Sequence, residues 1–241
     1  MAAMKFLIMF LKVYRNISPE LLMDSVLYED NHLIVASKLN GQLTDNDDSS
    51  DISLLEVLRS YVKIKYQKPG EVYLTPIHRL DRGVSGLVLF AKTSKAAERL
   101  NAQFRDRTVQ KKYVSFVTGN PPPTAHLEDF LSRDRKKRMT FVTKSSDPEG
   151  KKSILDFEMK SSNSKGAFLE VCPLTGRPHQ IRVQLASRGW PIVGDVKYGS
   201  KFSLNGAILL HAIQLNFSHP VLKKDMEFTA PLPSIWGEWI Q

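Results

Sequence analysis

The chain has 241 residues, with 34 lysines and arginines against 25 aspartates and glutamates, and a single cysteine, Cys172. Its apolar and charged fractions, 42% and 24%, are those of an ordinary globular protein, and its length supports one large domain or two small ones. One cysteine excludes an internal disulfide and a cysteine-cluster zinc site, no apolar run approaches the roughly 18 residues of a membrane span, and a net charge of +9 points to a polyanionic partner, nucleic acid ahead of a membrane surface.

Residues 1–23 carry a short apolar stretch, Phe6 to Leu11, behind Lys5. Lys12 closes it and no small-residue cleavage site follows, so it reads as an N-terminal extension rather than an export signal. The folded part is expected over 24–241. Residues 26–29 and 33–36 form a hairpin about Asp30-Asn31. The polar stretch 41–51 holds Asp45, Asp47, Asp48 and Asp51 without calcium-loop spacing, and reads as a solvated loop. A helix over 53–61 follows, its dipole suited by those acids, and Pro69-Gly70 ends the unit.

Next comes Ile77-His78-Arg79-Leu80-Asp81-Arg82-Gly83-Val84-Ser85-Gly86, then the apolar run 87–91. Ser94 caps a helix reaching Phe104. Residues 111–119 read as a strand, and Gly119 to Pro123 as a stiff loop or hinge. Residues 126–160 read as short β runs with charged turns, including the cations of 133–138. Residues 168–173 form a strand in which Cys172 is a small buried hydrophobe. A turn at 175–178 leads into a helix over 179–188, stopped by Gly189. A β run over 207–217, a short one near Phe228 and a tail with Trp236 and Trp239 close the chain. The whole reads as one α+β domain with many antiparallel strands; no βαβ repeat suggests a dinucleotide fold.

The six histidines lack the spacing of a zinc site, and neither a phosphate-binding loop nor a G-x-G-x-x-G stretch is present. No metal and no cofactor are expected. Ser85 lacks the context of a nucleophile elbow and reads as a turn residue. That leaves Asp81, a carboxylate between two arginines on a glycine-bearing turn, with two readings: a salt-bridged surface turn or a catalytic acid. Arg177, His179 and Arg182 cluster at a turn and helix start, a ready site for a phosphate or a partner carboxylate. Tyr113 follows Lys111 and Lys112, an aromatic able to stack a base while lysines meet the backbone. Arg135, Lys136, Lys137 and Arg138 read as a phosphate-contacting loop.

The segment from Ile77 to Asp81 with Ser85 to Lys92 resembles the signature of the RluA-like pseudouridine synthases. Three further stretches match in the same order: residues 112–119; Thr175-Gly176-Arg177-Pro178-His179-Gln180-Ile181-Arg182; and Leu209-Leu210-His211-Ala212 leading to 217–220. The resemblance covers about residues 24 to 233. It implies a mixed, largely antiparallel central sheet flanked by helices and loops, with the catalytic cleft across it. It also implies isomerisation of uridine in ribosomal or transfer RNA without metal or cofactor, with Asp81 as nucleophile on C6 of uracil or C1′ of ribose. By the same resemblance Tyr113 stacks on the base, Arg182 is the basic partner of Asp81, and Arg79 helps fill the space left by a flipped nucleotide. Leu209 and Leu210 would wall the pocket, and His78, Arg177, His179, Lys111 and Lys112 would face the substrate.

Relatives often carry threonine at the place of Val84, histidine at Gln184 and proline at Leu39. None of these departures touches Asp81, Tyr113 or Arg182. An N-terminal S4 RNA-binding domain is not expected, which leaves RNA binding to the catalytic domain. A cytoplasmic monomer away from membranes is the default. The rival reading is an RNA-binding or RNA-chaperone protein on the same fold; a carboxylate glycosidase would want a second catalytic acid, and none stands in these motifs.

Overall fold

The computed structural model describes residues 25–47, 49 and 51–240; the N-terminal extension and Asp48 of the acidic stretch lie outside them. The opening hairpin is β1 (Val26–Glu29) and β2 (Leu33–Lys38), followed by helix α1 (Leu54–Lys65). A short β3 (Thr75–Pro76) pairs with β4 (Ser85–Ala91), and helix α2 (Ser94–Arg105) leads to β5 (Gln110–Val117). A meander follows: β6 (Thr124–Asp134), β7 (Met139–Thr143), β8 (Lys151–Asn163) and β9 (Gly166–Pro173). Helix α3 (Gln180–Ala186), β10 (Leu210–Ser218) and β11 (Asp225–Thr229) complete the fold.

The strands form one sheet in the order β1-β2-β4-β10-β5-β9-β8-β6-β7, with β11 beside β10 and β3 beside β4. Among the described strands only β4 and β10 pair in parallel; the other pairings are antiparallel. The architecture is the expected α+β sheet.

Strand β4 is buried along its whole length because it serves two cores. Val88 and Phe90 point into a cluster with Leu54, Leu58 and Val62 of α1; Leu87, Leu89 and Ala91 point into a second with Ala96, Ala97 and Leu100 of α2. Burial on both faces explains the unbroken apolar run, where a half-buried strand would alternate. Trp236 and Trp239 of the tail pack into the first core.

Three sequence expectations change. The cap of α2 is Thr93, whose side chain accepts from the Ala96 N–H, so Ser94 is the first helical residue. Residues 126–160 form long strands rather than short runs, because charged residues on their exposed face mask the period-two pattern. Ser85 is not a turn residue: it opens β4, buried, with its hydroxyl 2.8 Å from His211 Nδ1.

The crossing of β4 and β10 needs Gly86. Its φ is +114°, and a Cβ there would lie 2.4 Å from the Ala212 carbonyl oxygen and 2.5 Å from the Ala212 nitrogen. Replacing Gly86 with alanine should cost about 3 kcal/mol or more, read as a lowered denaturant midpoint. Gly70→Ala, at an open position, should stay within about 0.5 kcal/mol.

Candidate active site

Asp81 sits in the loop joining β3 to β4, and neighbouring groups take the backbone carbonyls of residues 80 to 83. The Thr44 hydroxyl donates to the Leu80 carbonyl and accepts from the Leu80 N–H. The Arg82 carbonyl accepts from the Gly41 N–H at 2.8 Å, and the Gly83 carbonyl accepts from Asn40 Nδ2 at 2.7 Å and the Ile208 N–H at 3.0 Å. The Val84 N–H closes the turn on the Asp81 carbonyl at 2.9 Å. Beneath it, fully buried Lys38 donates to three carbonyls, those of Leu39, Gln42 and Arg82, at 2.9, 2.7 and 3.2 Å. A loop with four successive carbonyls tied to the surrounding fold is held in one conformation, and so aims Asp81.

The arginines flanking Asp81 in sequence do not pair with it. Arg79 reaches Asp45 and Arg82 reaches Asp51, both at 2.7 Å. The stretch read as a solvated acidic loop therefore anchors two cations of the motif. Asp81 is instead met by Arg182, 101 residues away in sequence, whose Nη1 lies 2.7 Å from Oδ2. The rest of that guanidinium forks onto Asp195, Nε to Oδ2 at 2.7 Å and Nη2 to Oδ1 at 2.8 Å. Burial works against the arginine's charge, but Asp195 and then Asp81 outweigh it and raise its pKa further. On the other side of Asp81, His179 Nε2 lies 3.8 Å from Oδ1. Burial holds the His179 imidazole below its usual pKa, against the pull of Asp81.

The motif that carries Arg182 is latched by its other residues. The Thr175 hydroxyl accepts from the Ile154 N–H and contacts Gln180 Oε1, while Gln180 Nε2 donates to the Ile154 carbonyl. Buried Gln184, one helical turn on, donates to Asp129 Oδ2 at 2.7 Å and faces the carbonyls of Leu127 and Ser153. These contacts pin α3 across β6 and β8. His179 itself stands at φ +55° just before the helix.

The site opens into a cleft of about 1290 Å³. Asp81, Tyr113, Arg182, Leu210, His179, Arg177, Arg79, His78, Lys111 and Lys112 all line it. Tyr113 on β5 and Gly86 on β4 both register with Ala212 of β10, so the tyrosine stands two strand spacings, about 10 Å, from the start of β4. Burial first, and the charge of Asp81 second, raise the Tyr113 pKa. Its hydroxyl therefore stays protonated, and the side chain offers a ring face and an O–H rather than a phenolate base.

Several residues fall elsewhere than the motifs suggested. Leu209 is fully buried in the first core and is not among the cleft residues; Leu210 alone of the pair is. His78 lines the cleft but is occupied. It stacks on Phe104 at 5.1 Å and its Nε2 accepts from the Leu89 N–H, while burial pushes its pKa down to about 3. It fastens the loop to β4. Lys112 pairs with Glu170 at 3.2 Å, whereas no carboxylate among the described residues meets Lys111, which lies 5.8 Å from the Phe104 ring centre. Arg135 to Arg138 sit at the β6–β7 turn, away from the cleft lining, which takes Arg133 instead. Cys172 is half-buried at the cleft wall rather than in the core.

Lys38, Thr44, Asp195 and Tyr198 also hold the site, and no motif in the sequence marks them. The one local sign of the last pair is Gly194-Asp195-Val196-Lys197-Tyr198-Gly199, an acid and an aromatic three apart between glycines. Among the described residues no group of three or more histidines, cysteines, aspartates or glutamates could hold a metal ion, and no helix is long and apolar enough to cross a membrane.

Residues 32–187 match the family model described as RNA pseudouridylate synthase. The chain belongs to that family. It is an isomerase, an RNA pseudouridine synthase. Similar relatives include the ribosomal large subunit pseudouridine synthase C of Buchnera aphidicola, 35% identical over 222 residues, covering 88% of this chain and 68% of the relative. Another is the ribosomal large subunit pseudouridine synthase D of Zymomonas mobilis, 32% identical over 221 residues, covering 86% and 69%. The chain thus spans about two thirds of each. The solved structure of human RNA pseudouridylate synthase domain containing 4 shares the fold, with a TM-score of 0.75 at 24% identity over 90% of this chain and 92% of that one.

Burial pulls the Lys38 pKa from 10.5 down to about 7, with Asp81 opposing. Below about pH 7 both folded and unfolded chains hold this proton. Between there and 10.5 only the unfolded chain does, so raising the pH through that window favours folding. Wild type should gain up to about 1.4 kcal/mol per pH unit relative to Lys38→Met between pH 7 and 9, measured by denaturant unfolding at fixed ionic strength. Parallel curves would contradict a buried lysine that releases its proton.

Proposed function

We propose that this chain converts uridine to pseudouridine in large-subunit ribosomal RNA, with Asp81 as the nucleophile. The observation that carries the reading is the Asp81 carboxylate, held by Arg182 at 2.7 Å through Oδ2 in a cleft shared with Tyr113. Oδ1 accepts no hydrogen bond from the described residues and is the oxygen left to attack. Two routes balance. Attack at C1′ forms an O–C1′ bond and breaks N1–C1′; attack at C6 gives an adduct that releases the sugar from N1. In either, uracil turns, C5 bonds to C1′, the carboxylate leaves, C5 loses its proton and N1 gains one. Product and substrate have the same atoms, so nothing need enter or leave, and no cofactor is required. Covalent catalysis divides one hard exchange into easier steps.

Tyr113 supplies the ring on which the detached base stays stacked while it turns. Arg79, 71% exposed at the cleft mouth, is placed to enter the helix as the uridine leaves it, offsetting an unstacking cost of a few kcal/mol. Lys111, without a carboxylate partner among the described residues, and Arg177 give the cleft positive charge for phosphates, and the cations of the β6–β7 turn extend it. The large-subunit target rests on what the relatives are named for; a transfer RNA target is the other outcome of mapping.

Asp81→Asn should lower single-turnover pseudouridine formation by at least about a thousandfold while largely retaining RNA affinity. Mapping pseudouridine in total RNA from cells with and without the gene should show a site in large-subunit ribosomal RNA that disappears. Substantial turnover by the asparagine variant would remove Asp81 from the nucleophile role.

A further inference from the structure

Tyr198 lies in a 3-10 turn, Val196–Tyr198, between Gly194 and Gly199, which have φ of +88° and +92°. Gly194 is required there, since a Cβ would lie 2.3 Å from the Ala207 carbonyl oxygen. Side chains three apart on such a turn stand one above the other, so Asp195 and Tyr198 approach Arg182 together. Asp195 takes the guanidinium in a bidentate pair, and the Tyr198 ring lies on it, 4.9 Å from Cζ to the ring centre.

The Tyr198 hydroxyl has two partners. It accepts from the Thr140 N–H at 2.9 Å and lies 2.7 Å from His179 Nδ1. The hydroxyl still carries its own proton, and giving it to Nδ1 makes that nitrogen the acceptor. That leaves the imidazole proton on Nε2, the nitrogen that faces Asp81 Oδ1. One side chain therefore braces both groups that flank Asp81. It also touches the β6–β7 hairpin, and its neighbour Lys197 donates to the Arg138 carbonyl at 2.8 Å. The basic hairpin is thus bonded to the turn that fixes the site.

We propose that Tyr198 is a positioning residue: it sets the His179 tautomer and the Arg182 plane around Asp81, and ties both to the basic β6–β7 hairpin. The inference rests on the pseudouridine synthase reading of the cleft. Tyr198→Phe tests it, because the ring stays on Arg182 while the links to Thr140 and His179 go. Single-turnover pseudouridine formation should fall about tenfold, with RNA affinity close to wild type and the unfolding midpoint lowered, because the buried Thr140 N–H loses its acceptor.

The decisive readout is the pH profile. His179 feels the charges of Asp81, Arg182, Lys197 and Arg133, and the donated phenolic proton favours its neutral form. Without that proton Nδ1 is free to protonate, and the imidazolium would pair with Asp81. The acid limb of the rate profile should therefore move to higher pH in Tyr198→Phe. His179→Ala should slow wild type yet add little in the Tyr198→Phe background. A wild-type rate and profile in Tyr198→Phe would overturn the proposal, as would a slower rate with an unmoved profile and an additive His179 effect. If wild type itself forms no pseudouridine in the mapped RNA, the reading beneath the proposal fails, and that outcome is distinct from the other two.

Discussion

Arg182 is buried where an unpaired cation would cost several kcal/mol, and it is stable there because Asp195 takes two of its N–H groups and Asp81 a third. The fork with Asp195 is the deeper half. It fixes the guanidinium plane within the fold, so the remaining Nη1 has one direction left in which to point. Asp81, 30% exposed at its side chain, meets that nitrogen from the cleft side. A carboxylate gripped through one oxygen by a cation that cannot move is aimed without its second oxygen being consumed.

Everything around this contact serves to bring two distant loops together. The sheet brings β4 and β10 into parallel register at Gly86 and Ala212, so the loop before β4 arrives beside the strand that borders Tyr113. The Thr175–Gln180 latch and Gln184 fix α3 over β6 and β8, which brings Arg182 in from the opposite direction. The backbone of residues 80–83 is tied to Thr44, Asn40, Gly41, Lys38 and Ile208. Rigid elements hold reactive groups more accurately than mobile loops do, and here the loop is made rigid by its own hydrogen bonds.

The apolar run of β4 and the meeting of Asp81 with Arg182 could be anticipated from the sequence, the second through family resemblance alone, whereas the close approach of Gly86 to Ala212 needs the sheet. The pairing of Arg79 and Arg82 with Asp45 and Asp51 could not, because an ion pair between separate loops leaves no periodic trace. The charges on β6 and β8 hid strands of 11 and 13 residues, since their outward side chains look like turns when read singly. Leu209 and Leu210 show the limit of adjacency: Leu209 lies in the bend just before β10, fully buried, and only Leu210, the first residue of the strand, lines the cleft. Asp195 and Tyr198 carry no motif of their own, and their place beside Arg182 comes from a turn between Gly194 and Gly199.

The central claim is that the geometry of Arg182, beyond its charge, prepares Asp81. Arg182→Lys separates the two, since an ammonium keeps the charge but cannot fork onto Asp195 and reach Asp81 in fixed directions. The deciding measurement is the single-turnover rate of pseudouridine formation by this variant on saturating RNA containing the mapped target. The account predicts a loss of about a hundredfold with RNA affinity nearly unchanged. A rate close to wild type would contradict it, and would leave Arg182 as no more than a nearby positive charge.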